Sequence, residues 1–403
     1  MNSSPKLKLT QFAHPPLVCF SHLRWDFVLQ RPQHLMQRFA RDRRVFFWEE
    51  HIPTDHHLPY LEFHSFDGTD VVAVRPRVPH HLKGQSVQAA LSRLLDQLLT
   101  LNQSGPPVFW FYTPLMYPIA QHVEAAAVVY DCMDELSAFR FAPQELRDHE
   151  ALLMRRADVV FTGGHSIYEA KRHQHGNIHP FPSSVDVEHF AAARKAVPAP
   201  TDQRELPGSV LGYYGVIDER IDVELIRSLA AARPDWSIVM IGPVAKIDPA
   251  SLPLARNIHY LGRKDYDELP AYLSGWDVAL MPFAINEATR FISPTKTPEY
   301  LAAGKPVVST PVTDVVRHYG HVEGVSVAGD PQAFIAACEQ ALALSCDREA
   351  WLPAVAHFLR ARPGTGPSAA CARSWMRRSQ RSAGMYRPSR RSCGPTGLPR
   401  TII

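Results

Sequence analysis

The sequence predicts an α/β protein made of two doubly wound, Rossmann-like domains that face each other across a cleft. Three observations carry that reading. Short continuous apolar runs alternate with segments of helical period, as strands buried on both faces of a parallel sheet do beside their crossover helices. The alternation occurs twice, on either side of a Pro-rich crossing at Pro198–Pro207. At 403 residues the chain is also too long for one ordinary core. The boundaries expected are 1–197, 198–360, and an irregular C-terminal tail at 361–403.

In the first half, Pro16 to Ser21 reads as a buried strand, followed by a loop and a helix over Arg31–Arg41. Val45 to Glu49 and Val71 to Arg75 are the next strands. Ser86 to Leu101 carries Val87, Leu91, Leu94, Leu95 and Leu98 at helical spacing. Val108–Tyr112 and Val128–Asp131 are short runs suited to parallel strands. A helix over Pro143–Ala157, a strand over Val159–Thr162 and a helix over His165–His173 follow. In the second half, strands are expected at Ser209–Tyr214, Ser237–Ile241, His259–Leu261, Val278–Pro282, Val307–Ser309 and Val325–Val327. Helices fall at Ile221–Ala232, Glu268–Ser274, Pro298–Ala303 and Pro331–Ala343. Ligands of such folds bind beyond the carboxyl ends of the strands.

Composition narrows the class. No apolar run approaches the ~20 residues of a membrane span, and Met1–Thr10 lacks the apolar region of a signal peptide, so a cytoplasmic protein is expected. Cys19, Cys132, Cys338, Cys346, Cys371 and Cys393 form no Cys-x-x-Cys pair, which fits a reducing compartment and no zinc site. His51, His56 and His57 invite a metal reading, but their spacing and lack of acidic partners fit loop histidines. The net charge of +3 belongs to the tail: residues 361–403 hold nine arginines and no Asp or Glu. The rest carries 34 basic against 40 acidic residues, or −6.

One stretch, Ser293–Ser309, carries the chemistry. Ser293, Pro294 and Thr295 suit the start of a helix, because hydroxyls accept from its free first-turn N–H groups. Those N–H groups and the positive end of the helix dipole make an anion site, and Lys296 adds a full charge. Glu299, one turn on, is placed to hold a ribose diol. Gly304 ends the helix and Pro306-Val307-Val308 opens the next strand. A diphosphate and a ribose presented side by side mean a nucleotide.

This stretch resembles the donor-site helix of GT-B glycosyltransferases, especially the retaining group known as family 4. Gly212-Tyr213-Tyr214-Gly215-Val216-Ile217-Asp218-Glu219-Arg220 is similar to the first strand and glycine turn of that fold's C-terminal domain. Ser183-Ser184-Val185-Asp186-Val187-Glu188-His189-Phe190 is similar to the segment before its interdomain crossing. Trp25-Asp26 and Arg31-Pro32-Gln33-His34-Leu35 resemble a bacterial subgroup often encoded beside polysaccharide genes. The resemblance covers roughly residues 15 to 345. It implies a metal-independent enzyme without a cofactor, moving a sugar from a nucleotide-sugar donor to a glycan or lipid-linked acceptor with retention. No nucleic-acid partner is implied, and a lipid-linked acceptor would bring peripheral contact with the membrane. A nucleotide-sugar epimerase and a non-catalytic nucleotide-sugar binding relative share the architecture and stay open.

The resemblance also distributes roles. Gly215, Arg220 and Lys296 face the diphosphate; Arg220 as a plain surface cation and Glu299 as a solvated helix carboxylate are the alternatives. Many relatives carry a Glu eight residues before the ribose Glu, where this chain has Phe291. The donor sugar would then meet the backbone of Phe291, Ile292 and Ser293, or the side chain of Glu287. Asp131 and Asp134, after the strand Val128–Tyr130, are expected to reach the cleft and position acceptor or sugar, unless one of them caps the next helix. Trp25 and Arg31 are acceptor-side candidates, with a core role open for Trp25. Gly163-Gly164 would let backbone approach the cleft or form a plain turn. The tail suggests a frameshift: relatives carry a Ser-Trp-Asp segment there, and codons exist for Arg362–Pro367 that, read one frame over, encode Ser-Trp-Asp-Arg-Thr. The alternative is a disordered basic arm for nucleic acid or acidic lipids.

Overall fold

The computed structural model describes residues 14–361 apart from 103–104, 140–141, 184, 196–197 and 294. Pro294 and the tail expected at 361–403, but for the helical backbone of Ala361, therefore lie outside the described residues.

The first half is a sheet of nine strands: β1 (Leu17–Phe20), β2 (Val45–Trp48), β3 (Ile52–Thr54), β4 (Tyr60–Ser65), β5 (Val71–Pro79), β6 (Val108–Phe111), β7 (Ala127–Cys132), β8 (Val159–Thr162) and β9 (Ile178–Pro180). The order is β3-β5-β2-β1-β6-β7-β8-β9, all parallel, with β4 antiparallel on β5. Alternate residues point to opposite faces. Val18, Phe20, Phe109 and Phe111 pack on one face; Leu17, Cys19, Val108 and Trp110 pack on the other. The helices of this half are α1 (Arg31–Phe39), α2 (Gln85–Asn102), α3 (Tyr117–Ala120), α4 (Glu145–Arg156) and α5 (His165–Lys171). Leu35, Met36 and Phe39 of α1 cover the second face, while α2, α3 and α4 cover the first, so the sheet is wound on both sides.

The second half holds β10 (Val210–Tyr214), β11 (Ser237–Ile241), β12 (Ile258–Gly262), β13 (Val278–Met281), β14 (Val307–Ser309) and β15 (Val325–Val327) in the parallel order β12-β11-β10-β13-β14-β15. That order reverses between β10 and β13, and such a switch point opens a crevice at the carboxyl ends of the strands. Its helices are α6 (Val187–Ala191), α7 (Val223–Ala232), α8 (Leu269–Ser274), α9 (Glu287–Arg290), α10 (Lys296–Ala302), α11 (Thr313–Tyr319), α12 (Pro331–Ser345) and α13 (Arg348–Ala361).

Several elements differ from expectation. β3 and β4 form an exposed extension whose irregular pattern hides their strand character. The chain changes core earlier than 197: Val185, Phe190 and Ala193 already pack with the second sheet. The helix α13, with Pro353 inside it, was not expected; Trp351, Val355 and Leu359 anchor it in the same core. Gly324, at φ +87°, makes room for the Trp351 ring, which a Cβ there would approach to 2.7 Å. Among the described residues no helix is long and apolar enough to cross a membrane.

Candidate functional site

The two halves enclose a cleft of about 320 Å³, lined by α1 and the loop before it, the 133–134 loop, the ends of β10 and β12, and the start of α10. Gly215, Arg220, Ile292, Ser293, Thr295, Lys296 and Glu299 line the second half's wall; Arg31 and Asp134 line the first's.

Helix α10 sits where the sequence placed it. Gly304, at φ +71°, closes it: its N–H bonds Leu301 O at 3.0 Å and the next N–H bonds Tyr300 O at 3.0 Å. Its start differs in detail, because Thr295 makes no side-chain capping bond. Lys296 lies across Gly215. Gly215 adopts φ +139°, which L side chains rarely take, and a Cβ there would stand 2.4 Å from Lys296 Cε and push the end of the lysine aside. The Lys296 ammonium stands 5.8 Å from the Tyr213 ring centroid and has no carboxylate within ion-pairing distance among the described residues. Burial holds its pKa below the usual lysine value, with Glu299 pulling the other way.

Glu299 is the mirror case. It sits among Tyr214, Tyr300 and Tyr266, and burial pushes its pKa up to about 7, opposed by the Tyr214 hydroxyl it accepts from and by Lys296. A cation and a carboxylate, both displaced toward neutrality and one helical turn apart, mark this wall as the candidate site. Arg220 is more committed: Asp218, 4% exposed, takes its guanidinium on two nitrogens at 2.6 and 2.8 Å.

The structure places Asp131, Trp25 and Glu287 away from the cleft. Asp131 does not reach the cleft: β7 runs on to Cys132, so its carboxylate points into the interior, fully buried. There Arg31 meets it twice, at 2.8 and 3.0 Å, and presents the remaining guanidinium edge to Phe181 O and the cleft. Burial raises the Asp131 pKa against the pull of Arg31. Trp25 is core, 7% exposed and edge-on to Phe47 at 5.0 Å. Its loop is tied down by Glu49, which accepts from the Trp25 N–H at 2.8 Å, Arg24 at 3.0 Å and Arg75 at 2.6 Å. Glu287 points outward from α9, its side chain 77% exposed and 4.0 Å from Arg290. The Phe291 side chain packs against the first half's core, which leaves the sugar contact expected of its backbone untouched.

Asp134 alone of the two paired candidates faces the cleft. Among the described residues its carboxylate has no ion pair or hydrogen bond, although Arg220, Lys296 and His22 surround it closely enough to feel its charge. Gly163 holds this loop in place, since a Cβ there would lie 2.1 Å from Met133 O.

The far end of the cleft went unread in the sequence. Arg263, Lys264, Asp265 and Tyr266 follow β12 and face His34 and Arg38 of α1. Tyr266 stacks on His189 at 4.2 Å and meets His34 edge-on at 5.5 Å. Burial, helped by Arg38, lowers the His34 pKa to about 4, so it is neutral at physiological pH. The signal was present: a run of polar residues directly after a strand of a parallel sheet.

Residues 209–343 match the family model described as glycosyl transferases group 1. Over 279 residues the chain is 30% identical to a protein of Bacillus subtilis (strain 168), provisionally named as the teichuronic acid biosynthesis glycosyltransferase TuaH. The match covers 64% of this chain and 69% of that one. Sucrose-phosphate synthase of Thermosynechococcus elongatus superposes with a TM-score of 0.67 at 15% identity, over 92% of this chain and 100% of the other. Anabaena HepE in complex with UDP and glucose gives 0.64 at 13% identity, over 90% and 100%. The fold is thus the GT-B architecture, and the chain belongs to the group 1 glycosyltransferases.

Proposed function

We propose that this transferase takes a nucleoside-diphosphate sugar as donor and passes the sugar, with retention, to a glycan or lipid-linked acceptor in bacterial surface-polysaccharide synthesis. The observation that carries the donor half is the pair on α10: Lys296 lying across Gly215, and Glu299 one turn away. Lys296 receives the diphosphate, Glu299 accepts from the ribose hydroxyls, and the wall from Arg263 to Tyr266 takes the base. As the anomeric carbon–oxygen bond breaks, negative charge grows on the departing diphosphate, and a desolvated ammonium already in place stabilises it without reorganisation. The acceptor approaches from the side of Asp134 and Arg31. Asp134, free of protein partners among the described residues, orients acceptor or sugar hydroxyls. The polysaccharide setting rests on the name of the Bacillus subtilis relative, and the chemical class of donor on the cleft itself.

A thermal-shift panel of UDP, GDP, ADP and CMP against wild type and Glu299→Ala tests the reading. A ligand at ~100 times its dissociation constant adds ~2.7 kcal/mol to the folded state. One diphosphate stabilising the wild type and not the variant is the expected result. No shift with any nucleotide from a cooperatively melting protein overturns the donor site.

A further inference from the structure

Away from the cleft, the halves also meet where α11 of the second packs against α5 of the first. Asp314, in the first turn of α11 and 1% exposed, accepts from the Ser166 N–H at 3.1 and 3.3 Å and from the Ser166 hydroxyl at 3.1 Å. A carboxylate of one half thereby caps the first turn of a helix of the other. Gly164 permits the approach: a Cβ there would stand 2.4 Å from Asp314 Oδ2 and 3.4 Å from the Ser293 Cβ of the donor wall. Arg317 reaches Glu169 at 2.7 Å and Asp314 at 3.7 Å, and the rings of His165 and His318 lie 4.5 Å apart.

The other end of α5 is tied to the segment that follows Asp134. Lys171, 4% exposed, holds Glu135 and Glu150 at 2.7 Å each, and Glu135 is the neighbour of Asp134. Glu150 also accepts from the Tyr130 hydroxyl at 2.6 Å, which fixes that carboxylate to β7. Segment 163–171 therefore touches the second half at one end and the Asp134 loop at the other.

We propose that Asp314 is a positioning residue for the transfer: by capping α5 across the interface it holds the halves in register and, through Lys171 and Glu135, sets the Asp134 loop. The chemistry suits a reversible latch. Closed, the buried carboxylate has its hydrogen-bond donors; opened, it has water, so the difference between the states is small compared with either interaction alone. A carboxylate buried without donors would be costly, so partial closure is disfavoured.

Hydrogen–deuterium exchange and small-angle scattering on the full chain, without nucleotide, test this independently of the donor-site reading. Asp314→Ala is expected to enlarge the radius of gyration and to speed exchange severalfold at 164–169 and also at 133–139, which Asp314 does not touch. Arg317→Gln removes only a partly exposed side chain, and it is expected to move both quantities the same way by less. Unchanged scattering and exchange in both variants overturns the latch. Opening without faster exchange at 133–139 overturns the coupling to the Asp134 loop. A UDP or GDP shift retained in Asp314→Ala would show the second half intact and attribute the changes to the interface.

Discussion

The two walls of the cleft treat the charges nearest their centre in different ways. On the first half, cations and anions are spent on one another: Arg31 on Asp131, Arg24 and Arg75 on Glu49, Lys171 on Glu135 and Glu150. On the second half Arg220 is spent on Asp218, but among the described residues Lys296 and Glu299 have no ion-pairing partner, although burial drives both toward their neutral forms. Paired buried charges build a rigid wall, and unpaired ones hold free energy that a ligand can release. The first half is a scaffold, and its cleft-lining Asp134 has no ion pair or side-chain hydrogen bond among the described residues. On the proposed reading, the second is a receptor.

If so, breaking a pair on the first wall should harm the fold more than any change on the second. Asp131→Ala leaves the Arg31 guanidinium buried without its carboxylate, and a loss of about 3–5 kcal/mol in unfolding free energy is expected. Urea denaturation reads it directly. A loss below ~1 kcal/mol at an unchanged slope would mean that Arg31 finds water, and the contrast between the walls would fail.

That contrast also explains what could be read in advance. The donor wall is local in sequence: a helix start, a lysine, a glutamate one turn on and a closing glycine stand within a dozen residues, so α10 and Gly215 were legible. The central strands of both sheets were legible too, because strands buried on both faces are continuous apolar runs, whereas β3, β4 and β9 at the edges of the first sheet were not. The first wall is assembled from distant residues. Asp131, expected after a strand ending at Tyr130, lies inside β7, which runs two residues further, and its partner lies 100 positions earlier. Trp25 takes the core alternative and Glu287 turns outward, because which way such a side chain turns depends on packing that no local pattern encodes. The Asp314 contact with Ser166, 148 positions apart, was beyond any such reading.

The receptor wall should respond to pH. Glu299 titrates at about 7 when folded against 4.5 in an unperturbed chain, so between those values the folded state holds a proton that the unfolded state has lost. Stability from this group is therefore complete below pH ~4.5 and declines as pH rises to ~7, by roughly 3 kcal/mol in total. Ribose hydroxyls favour the charged form, so nucleotide affinity should rise through the same window, up to about tenfold per unit. Denaturation and titration of wild type and Glu299→Gln from pH 5 to 8 check both slopes. Persistence of either in the variant would assign it to another group.

Lys296→Met carries the sharper sign. Nucleoside-diphosphate affinity should fall by about 1.5–3 kcal/mol, the value of hydrogen bonds to a charged group. The empty protein should melt no lower than wild type, because an unpaired buried ammonium is replaced by an apolar chain of similar length. Calorimetry with UDP and GDP beside a melting curve separates the two quantities. A destabilised empty protein would show that Lys296 is structural, like the cations of the opposite wall.

Glu287→Ala marks the lower limit. The side chain is largely exposed, its contact with Arg290 is an i,i+3 pair on a four-residue helix, and exposed substitutions of this kind stay within about 0.5 kcal/mol. Neither melting nor nucleotide affinity should move. Donor turnover is the more searching measurement, since α9 leads straight into Phe291 and the donor wall. A large fall in turnover with affinity unchanged would mean that α9 swings inward over the sugar during transfer. The receptor wall would then be incomplete as it stands, and the carboxylate facing solvent here would belong with Lys296 and Glu299.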